Sequence, residues 1–438
     1  MLIEFSVENF RSIRERQTLS MVAAPRLHKT QNTIKVSIDG ERKFPSLLKV
    51  VAIYGPNASG KSTLVRALAV LHRICHLKPT ADKQLFPIAP FRFDPELRDK
   101  PSVFEVHFIE NRIRYTFEVA LTADRVHHEC LTVYKKGTPH ELYSRSYLEG
   151  QDSYSFGALL EGGTDLHEAW RKLTGPQTLF IAQAVANSNE ELTQLKHPFR
   201  WLSDLMVESD GMRSSASYTR KLIADHPSFG AEVADLLSDV DIPISAIHSK
   251  LNEEKSSGLN ALIDIQSGKS GSSQQATPVP TGARITTTLT HKTSLGEADF
   301  DYSEESDGTK NLMGFALTWY VFRYNEDKTR RNVLVVDELD SSLHPKLVEA
   351  LVERHLQSGL EHQLIFTTHD THLMDAKLLR RDQIWMTERD EAGATQLRSV
   401  HDFEGREGED VEKRYYEGRY RALPIVKRST PHGSDTQH

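Results

Sequence analysis

Apolar and polar positions along the chain follow a few regular patterns. Three short runs, at residues 48–54, 332–336 and 363–366, are almost continuously apolar and rich in β-branched side chains. Such runs are typical of strands that are buried on both faces of a parallel sheet. We therefore predict that these three runs are buried strands of the fold.

Two further patterns predict other elements. Residues 103–109 and 114–119 alternate between apolar and polar positions on either side of Asn111, which predicts an antiparallel hairpin. Helical spacing follows within 155–240, in the sets Phe199, Leu202, Leu205, Met206 and Val233, Leu236, Leu237, Val240. A stretch rich in Ser, Gly, Gln and Pro covers 252–282, after which we expect the sheet to resume near Ala283.

The first apolar run leads into a loop of the form G-x4-G-K-[ST] and then into a helical pattern. This strand–loop–helix context is what a phosphate-binding loop requires. Its backbone N–H groups and the start of the helix face an anion. We expect Lys61 to bridge the β- and γ-phosphates of ATP and Ser62 to ligate Mg²⁺. The residues expected to bind the nucleotide are Gly55, Pro56, Asn57, Ala58, Ser59, Gly60, Lys61, Ser62 and Thr63.

A second Gly-Lys-Ser sequence, at 268–270, has no strand before it and lies in the Ser- and Gly-rich stretch. We interpret it as linker sequence without a bound phosphate.

The other two apolar runs end in candidate catalytic residues. The run at 332–336 leads into Asp337, which is placed to hold Mg²⁺, and Glu338, which is placed to orient or deprotonate the attacking water. A helical pattern then leads to the third run, which ends in Thr-His at His369. Its position about 30 residues after the Asp-Glu pair resembles the switch histidine of ABC-type ATPases.

Residues 304–312 read Glu-Glu-Ser-Asp-Gly-Thr-Lys-Asn-Leu and open a predicted helix. The segment resembles a divergent ABC signature loop, in which Ser306 and the N–H groups around Gly308 face an anion. Asp307 stands where the wider class has glycine. An ordinary N-capped helix start is the alternative interpretation.

The order of these motifs resembles the SMC/RecF/OLD branch of ABC ATPases. The opening F-x-V-x-N-F-x-S-I at 5–13 is typical of their first strand and turn. Phe-Arg-Phe-Asp at 91–94 and Tyr-Glu-Gly-Arg-Tyr at 416–420 resemble the smaller RloA-like, abortive-infection ATPases of bacterial anti-phage defence. The resemblance implies an α/β fold: an ABC/SMC-type P-loop ATPase head, a mixed sheet with helices, carrying a helical insertion between its two lobes.

The resemblance also implies a domain plan. We expect an N-terminal ATPase lobe at 1–150, a helical insertion at 151–250 and a flexible linker at 251–283. A C-terminal ATPase lobe at 284–425 would carry the signature loop, Asp337 and His369. A disordered polar tail is expected at 426–438.

Composition restricts where such a protein works. With 38% hydrophobic residues and no apolar run of about 18–20 residues, the chain has no segment that would span a bilayer. The first residues do not have the pattern of a signal peptide. Two cysteines in 438 residues indicate a reducing compartment, so we expect a cytoplasmic protein without membrane partners. A net charge of −7 does not indicate a general polycation for nucleic acid.

The function that the resemblance implies is a slow ATPase that senses infection. In this class the signature loop closes over ATP held by a second subunit, so a homodimer or higher homo-oligomer is expected. A separate effector, such as a nuclease, would act, because only about 70 residues follow His369. The trigger is expected to be nucleic acid or a phage protein. The alternatives are a RecF-like DNA-repair ATPase and the ATPase subunit of a transporter.

Overall fold

The computed structural model describes residues 1–77, 86–240, 242–253, 283–324, 332–374, 378–406 and 408–423. The predicted linker at 251–283, the Gly-Lys-Ser sequence at 268–270 and the predicted tail at 426–438 lie mostly or wholly outside these residues.

The described residues form both strands and helices. The strands are β1 (Leu2–Glu8), β2 (Gln17–Ser20), β3 (Thr33–Ile34), β4 (Leu47–Leu48), β5 (Val50–Tyr54), β6 (Ser102–Glu110), β7 (Ile113–Leu121), β8 (Val126–Lys135), β9 (Thr138–Leu148), β10 (Gln151–Phe156), β11 (Met206–Met212), β12 (Ile244–Glu253), β13 (Ala283–Thr293), β14 (Gly296–Asp301), β15 (Val333–Val336), β16 (Gln363–Thr367), β17 (Ile384–Arg389) and β18 (Thr395–Ser399). The helices are α1 (Lys61–Cys75), α2 (Gly163–Leu173), α3 (Phe180–Ala186), α4 (Lys196–Ser203), α5 (Arg213–Asp225), α6 (Pro227–Ser238), α7 (Asp307–Tyr324), α8 (Pro345–Gln357) and α9 (Val411–Tyr416).

One six-stranded sheet contains all three continuous apolar runs. Its order is β11-β15-β16-β5-β17-β18, and every neighbouring pair is parallel except β17 and β18. Each residue of β5, β15 and β16 is buried, as the continuous apolar patterns predict. The predicted buried strands are therefore confirmed.

A second, seven-stranded sheet is antiparallel throughout, in the order β10-β9-β8-β7-β6-β1-β2. The predicted hairpin is its β6–β7 pair, and the turn uses Asn111 and Arg112, both with positive φ. Two left-handed residues match the twist of a two-residue hairpin. Helix α4 packs against this sheet, where Trp201 stacks on Phe108 with ring centroids 4.2 Å apart.

The chain divides into two compact units. One contains the described residues of Met1–Ser209, Asp327–Asp340 and Leu351–His438, and the other those of Asp210–Glu326 and Ser341–Ala350. In the second unit a three-stranded sheet, β12-β13-β14, accompanies α5, α6 and α7. Its buried apolar side chains include Ala216, Ile223, Phe229, Val233, Leu237, Ile247, Leu289 and Leu312.

Mixed sheets with helices confirm the predicted α/β class. Residues 151–250, predicted as a helical insertion, contain α2 to α6 and also strands β10 and β11 and most of β12. The boundaries of the five predicted segments stay predictions. Among the described residues, no helix combines the length and the apolar character that crossing a bilayer requires.

Two local predictions were wrong. The apolar spacing predicted a helix that continues through Met206, but α4 ends at Ser203. Met206 instead begins β11, where it pairs with Leu334 in a parallel ladder. Two adjacent apolar residues fit a buried strand as well as a helix. Pairing with a neighbouring strand in the folded protein therefore decides their conformation. The strand at Ala283 exists, but it pairs with β12 and β14 instead of resuming the six-stranded sheet.

Gln363 joins the two large sheets through buried polar contacts. Its Nε2 donates to the Leu2 carbonyl at 2.9 Å and to the Leu48 carbonyl at 3.3 Å. Its Oε1 accepts the Leu2 N–H at 2.6 Å. The side chain has 0% exposure, so water cannot replace these bonds.

Replacing Gln363 by Leu is expected to lower the free energy of unfolding by about 2–4 kcal/mol, because three buried backbone groups lose a partner. Urea unfolding followed by circular dichroism measures the change. Gln357→Leu, at the exposed end of α8, is the matched control and should shift stability by at most about 0.5 kcal/mol. Equal stability of the two variants would contradict the assigned role.

Candidate functional site

The candidate site lies at one edge of the six-stranded sheet. Strand pairing aligns Val336 with Phe366, and Phe366 with Ala52, so the carboxyl ends of β15, β16 and β5 meet there. Neighbouring strands are about 4.8 Å apart, so the residues that follow β15 and β5 lie roughly 10 Å from each other. The phosphate-binding loop, Asp337 with Glu338, and His369 all begin at this edge.

The loop between β5 and α1 has the backbone of an anion-binding turn. Ala58, Gly55 and Gly60 have positive φ, and Gly60 caps the start of α1. The N–H groups of Ser59 and Thr63 bond inside the loop, to the carbonyls of Pro56 and Gly60. Five amide groups make no hydrogen bond to any other described residue: those of Asn57, Ala58, Gly60, Lys61 and Ser62. Such a concave row of donors at a helix N-terminus binds anions.

Lys61 folds back across this loop. Its Nζ donates to the carbonyl oxygens of Gly55, at 2.8 Å, and Pro56, at 3.2 Å. Burial lowers the pKa of Lys61, while the carboxylates of Asp337, Glu338 and Asp340 oppose that shift. The ammonium group and these carboxylates therefore share one electrostatic site, although they are distant in sequence.

Asp337 and Glu338 are held by the neighbouring strand. Thr367, the last residue of β16, donates its hydroxyl to Asp337 Oδ1 at 2.6 Å and accepts the Glu338 N–H at 2.7 Å. The Asp337 N–H donates to the Glu208 carbonyl at 2.9 Å. Asp337 is buried, whereas Glu338 has a φ of 52° and an exposed side chain. The turn thus fixes one carboxylate in the sheet edge and presents the next to solvent.

His369 lies beside the same carboxylates. Its backbone N–H donates to Asp340 Oδ2 at 3.1 Å, and its side chain is exposed. Partial burial and the charge of Lys61 lower the pKa of His369, and the carboxylates of Asp340 and Glu338 oppose them. The lowered pKa favours the neutral imidazole, which can accept a hydrogen bond.

The loop after His369 contacts the C-terminal helix α9. The Thr371 hydroxyl donates to Glu412 at 2.7 Å and lies 3.1 Å from the Tyr416 hydroxyl. Asp370 accepts bonds from the N–H and the ring of His372, at 3.0 and 2.8 Å. These contacts tie the Tyr-Glu-Gly-Arg-Tyr segment to the histidine loop.

Thr387 and Thr395, which the sequence patterns did not indicate, contact the phosphate-binding loop together with Ser12 of the N-terminal F-x-V-x-N-F-x-S-I pattern. Thr387 contacts Ser59 through the two hydroxyls, 2.5 Å apart. The Thr395 hydroxyl donates to the Ser59 carbonyl at 2.8 Å and lies 2.8 Å from the Ser12 hydroxyl, and Ser12 donates to Thr63 at 3.0 Å. No motif marks the two threonines, because each is a single Thr far from the loop in sequence.

The same contacts explain the loop's two glycines. A Cβ built on Gly55 would lie 2.2 Å from Thr387 Oγ1, and one on Gly60 would lie 2.0 Å from Thr395 Oγ1. Neither position has room for a side chain.

The signature segment lies in the second unit and is described separately. Ser306 is exposed and caps α7 by accepting the Thr309 N–H at 3.1 Å. A Cβ on Gly308 would lie 2.7 Å from the Ser342 carbonyl. Asn311 donates to the Ser341 carbonyl at 2.7 Å, so the start of α7 packs on residues 341–342.

The candidate ligands fit a hard cation. The Ser62 hydroxyl and the Asp337 carboxylate are oxygen donors, which Mg²⁺ prefers. Asp337 retains Oδ2 beyond the oxygen that Thr367 binds. These two residues would hold Mg²⁺, which neutralises phosphate charge when bound.

A strand–loop–helix turn with unbonded amides, a lysine and an adjacent Asp-Glu pair defines a P-loop ATPase fold. The sequence matches the model of a family described as "AAA domain, putative AbiEii toxin, Type IV TA system" over residues 50–375. The chain belongs to this family, and the predicted P-loop ATPase class is confirmed.

Comparison with curated proteins gives no match. Among solved structures, a crystal structure of an SMC head bound to the C-terminal winged-helix domain of ScpA is 13% identical, with a TM-score of 0.43, over 91% of this chain and 97% of that chain. The SMC head domain from Thermotoga maritima is 15% identical, with a TM-score of 0.38, over 91% and 98%.

Proposed function

We propose that this protein is a cytoplasmic ATPase of a bacterial anti-phage defence system, which dimerises around ATP and thereby controls a separate effector such as a nuclease. The family to which the chain belongs supports the defence role, since its description names a toxin of a toxin–antitoxin system. The trigger is proposed to be nucleic acid or a phage protein.

The observation that carries the ATPase proposal is the shared sheet edge. Five unbonded amides and the Lys61 ammonium belong to the loop, and Asp337, Glu338 and His369 follow the adjoining strands. Hydrolysis of a triphosphate needs positive charge along the phosphate oxygens and a carboxylate near the γ-phosphorus. This edge supplies both.

Each residue has a defined task in the proposed hydrolysis. The five unbonded amides of the loop and the Lys61 ammonium bind phosphate oxygens, and Ser62 and Asp337 would hold Mg²⁺. Glu338 accepts a proton from the attacking water and orients it. His369, kept neutral by its lowered pKa, accepts or donates a hydrogen bond at the γ-phosphate end.

The signature loop supports assembly. Ser306 and Gly308 lie at the start of an 18-residue helix, where an anion would meet the positive end of the helix dipole. We propose that this loop completes the site of a second copy, so that a homodimer contains two composite sites.

Mixing two inactive variants tests the composite site. Lys61→Ala removes the lysine of the phosphate-binding loop, and Ser306→Arg blocks the signature loop. Each variant alone should therefore hydrolyse ATP at background rate. A heterodimer contains one intact site, so an equimolar mixture should regain about a quarter of wild-type turnover if subunits exchange randomly. Phosphate release measures the recovery.

Ser153→Arg, at an exposed serine of β10, is the matched control and should retain full activity. Full activity of Ser306→Arg alone would refute the signature assignment. A mixture that stays at background while Ser306→Arg alone is inactive would refute the two-subunit site.

A further inference from the structure

Phe93 is an exposed aromatic ring on a fixed backbone. Its side chain is 70% exposed, while its neighbour Phe91 is buried, with ring centroids 5.6 Å apart. The next residue, Asp94, accepts two hydrogen bonds from the Arg14 guanidinium, at 3.1 and 2.8 Å. The Phe91 N–H donates to Asn9 Oδ1 at 3.0 Å. A ring held in place and exposed in this way provides a stacking surface.

Arg92 directly precedes Phe93 in the chain and belongs to a group of three arginines. Burial and the charges of Arg66 and Arg92 lower the pKa of Arg11, so the three guanidinium groups are within electrostatic range. None of them forms an ion pair with a described carboxylate. Guanidinium groups only donate hydrogen bonds, so they select ligand atoms that accept. We call Phe93, Arg11, Arg66 and Arg92 the base-side face.

The order of the sheet gives a bound nucleotide a direction; this step rests on the proposed function. On one side of β5 lie β16 and β15, after which His369, Asp337 and Glu338 follow. The γ-phosphate must point to that side, because hydrolysis occurs there. The nucleoside end must therefore point to the opposite side, where β17 and β18 lie.

The base-side face lies on that opposite side. A Cβ built on Gly393, in the turn between β17 and β18, would lie 3.5 Å from the Phe93 ring. Two residues further on, Thr395 bonds to the carbonyl of Ser59 in the loop. A strand rises about 3.3 Å per residue, so Gly393 and Thr395 are about 7 Å apart. Adding the contact between Gly393 and the ring places Phe93 roughly 10 Å from the phosphate-binding loop.

Arg11 approaches the loop from the same direction. The next residue, Ser12, donates its hydroxyl to Thr63 in the first turn of α1. The Thr395 N–H donates to the Ser12 carbonyl at 2.7 Å. The turn that carries Arg11 is thus fixed between α1 and β18.

We propose that the base-side face binds the nucleoside end of the nucleotide, with the base stacked on Phe93 and the arginines donating to acceptor atoms of the base and the α-phosphate. The face accounts for the Phe-Arg-Phe-Asp segment, whose two aromatic rings have opposite exposures. Aromatic side chains bind nucleobases by stacking, and arginines add favourable charge.

Calorimetric titration of Phe93→Ala with Mg–ATP and with Mg–tripolyphosphate tests the proposal. Loss of one base–aromatic stack should weaken ATP binding roughly tenfold. Tripolyphosphate has no base, so its affinity should stay within about twofold of wild type. Phe93→Tyr keeps the ring and should restore ATP binding. Leu148→Ala, at an apolar side chain that is 65% exposed, is the control and should change neither affinity.

Two results would overturn the proposal: unchanged ATP binding in Phe93→Ala, or an equal loss for both ligands. A single-stranded oligonucleotide serves as a third probe. If Phe93→Ala weakens oligonucleotide binding and leaves ATP binding intact, the face is a nucleic-acid surface and the proposal is wrong. Lys61→Ala should weaken both ATP and tripolyphosphate; if it weakens neither, the proposed function fails independently of Phe93.

Discussion

Lys61→Ala is expected to abolish ATP hydrolysis, with turnover reduced by at least about 10²-fold. The ammonium group is the one cation of the phosphate-binding loop itself, residues 55–63, and it lies in the field of three carboxylates. Without it, the loop itself would offer only amide donors to phosphates that lie close to Asp337, Glu338 and Asp340, and Mg²⁺ would be the one remaining positive charge proposed there. Phosphate release under saturating Mg–ATP measures the loss.

The matched control is Lys172→Ala, at an exposed lysine near the end of α2, and it should hydrolyse ATP like wild type. In cells that carry the neighbouring genes, Lys61→Ala should also lose protection against phage, which tests the defence role. Wild-type turnover in Lys61→Ala would refute the P-loop assignment. Lost turnover with intact phage protection would leave an ATPase but refute its role in defence.

That Lys61, Asp337 and His369 share one sheet edge could be predicted from the sequence, because the segments that carry them are local patterns. An apolar β-branched run predicts a buried parallel strand, and parallel strands place the residues that follow them at one edge. For that reason Asp337 and His369 were expected beside Lys61, and burial together with the nearby charge of Lys61 lowers the pKa of His369.

The side-chain contacts that hold the phosphate-binding loop in place could not be predicted from local patterns. Thr387 and Thr395 contact the loop only because β17 and β18 lie next to β5 in the folded sheet. A single threonine in a strand looks the same in sequence whether its hydroxyl faces solvent or a loop. The role of Gln363 could not be predicted either, because its three hydrogen bonds to the backbone of Leu2 and Leu48 form only where two sheets meet in the folded chain.

Non-local pairing also explains the errors in secondary structure. Met206 begins β11 because β15 offers a free ladder to residues 206–208, although the sequence before it has helical spacing. The strand at Ala283 pairs with β12, which lies 30 residues earlier, rather than with a strand of the six-stranded sheet such as β15. Periodicity specifies which faces are apolar, and it does not specify which strands pair.

The second large effect is expected at Glu338. Glu338→Gln keeps the size and most of the polarity of the side chain, but an amide cannot accept the proton of the attacking water. Hydrolysis should fall by roughly 10²–10⁴-fold, the usual contribution of a general base. Because the side chain is exposed and the backbone is held by Thr367, ATP binding and folding should be retained.

A variant that binds ATP and hydrolyses it slowly should accumulate the closed assembly. Light scattering after size-exclusion chromatography should show a doubled mass with Mg–ATP and the monomer mass without nucleotide. Glu191→Gln, at an exposed glutamate, is the control and should hydrolyse ATP normally. If Glu338→Gln binds ATP but its mass never changes, two copies do not close around the nucleotide, and the signature loop at Ser306 has another role.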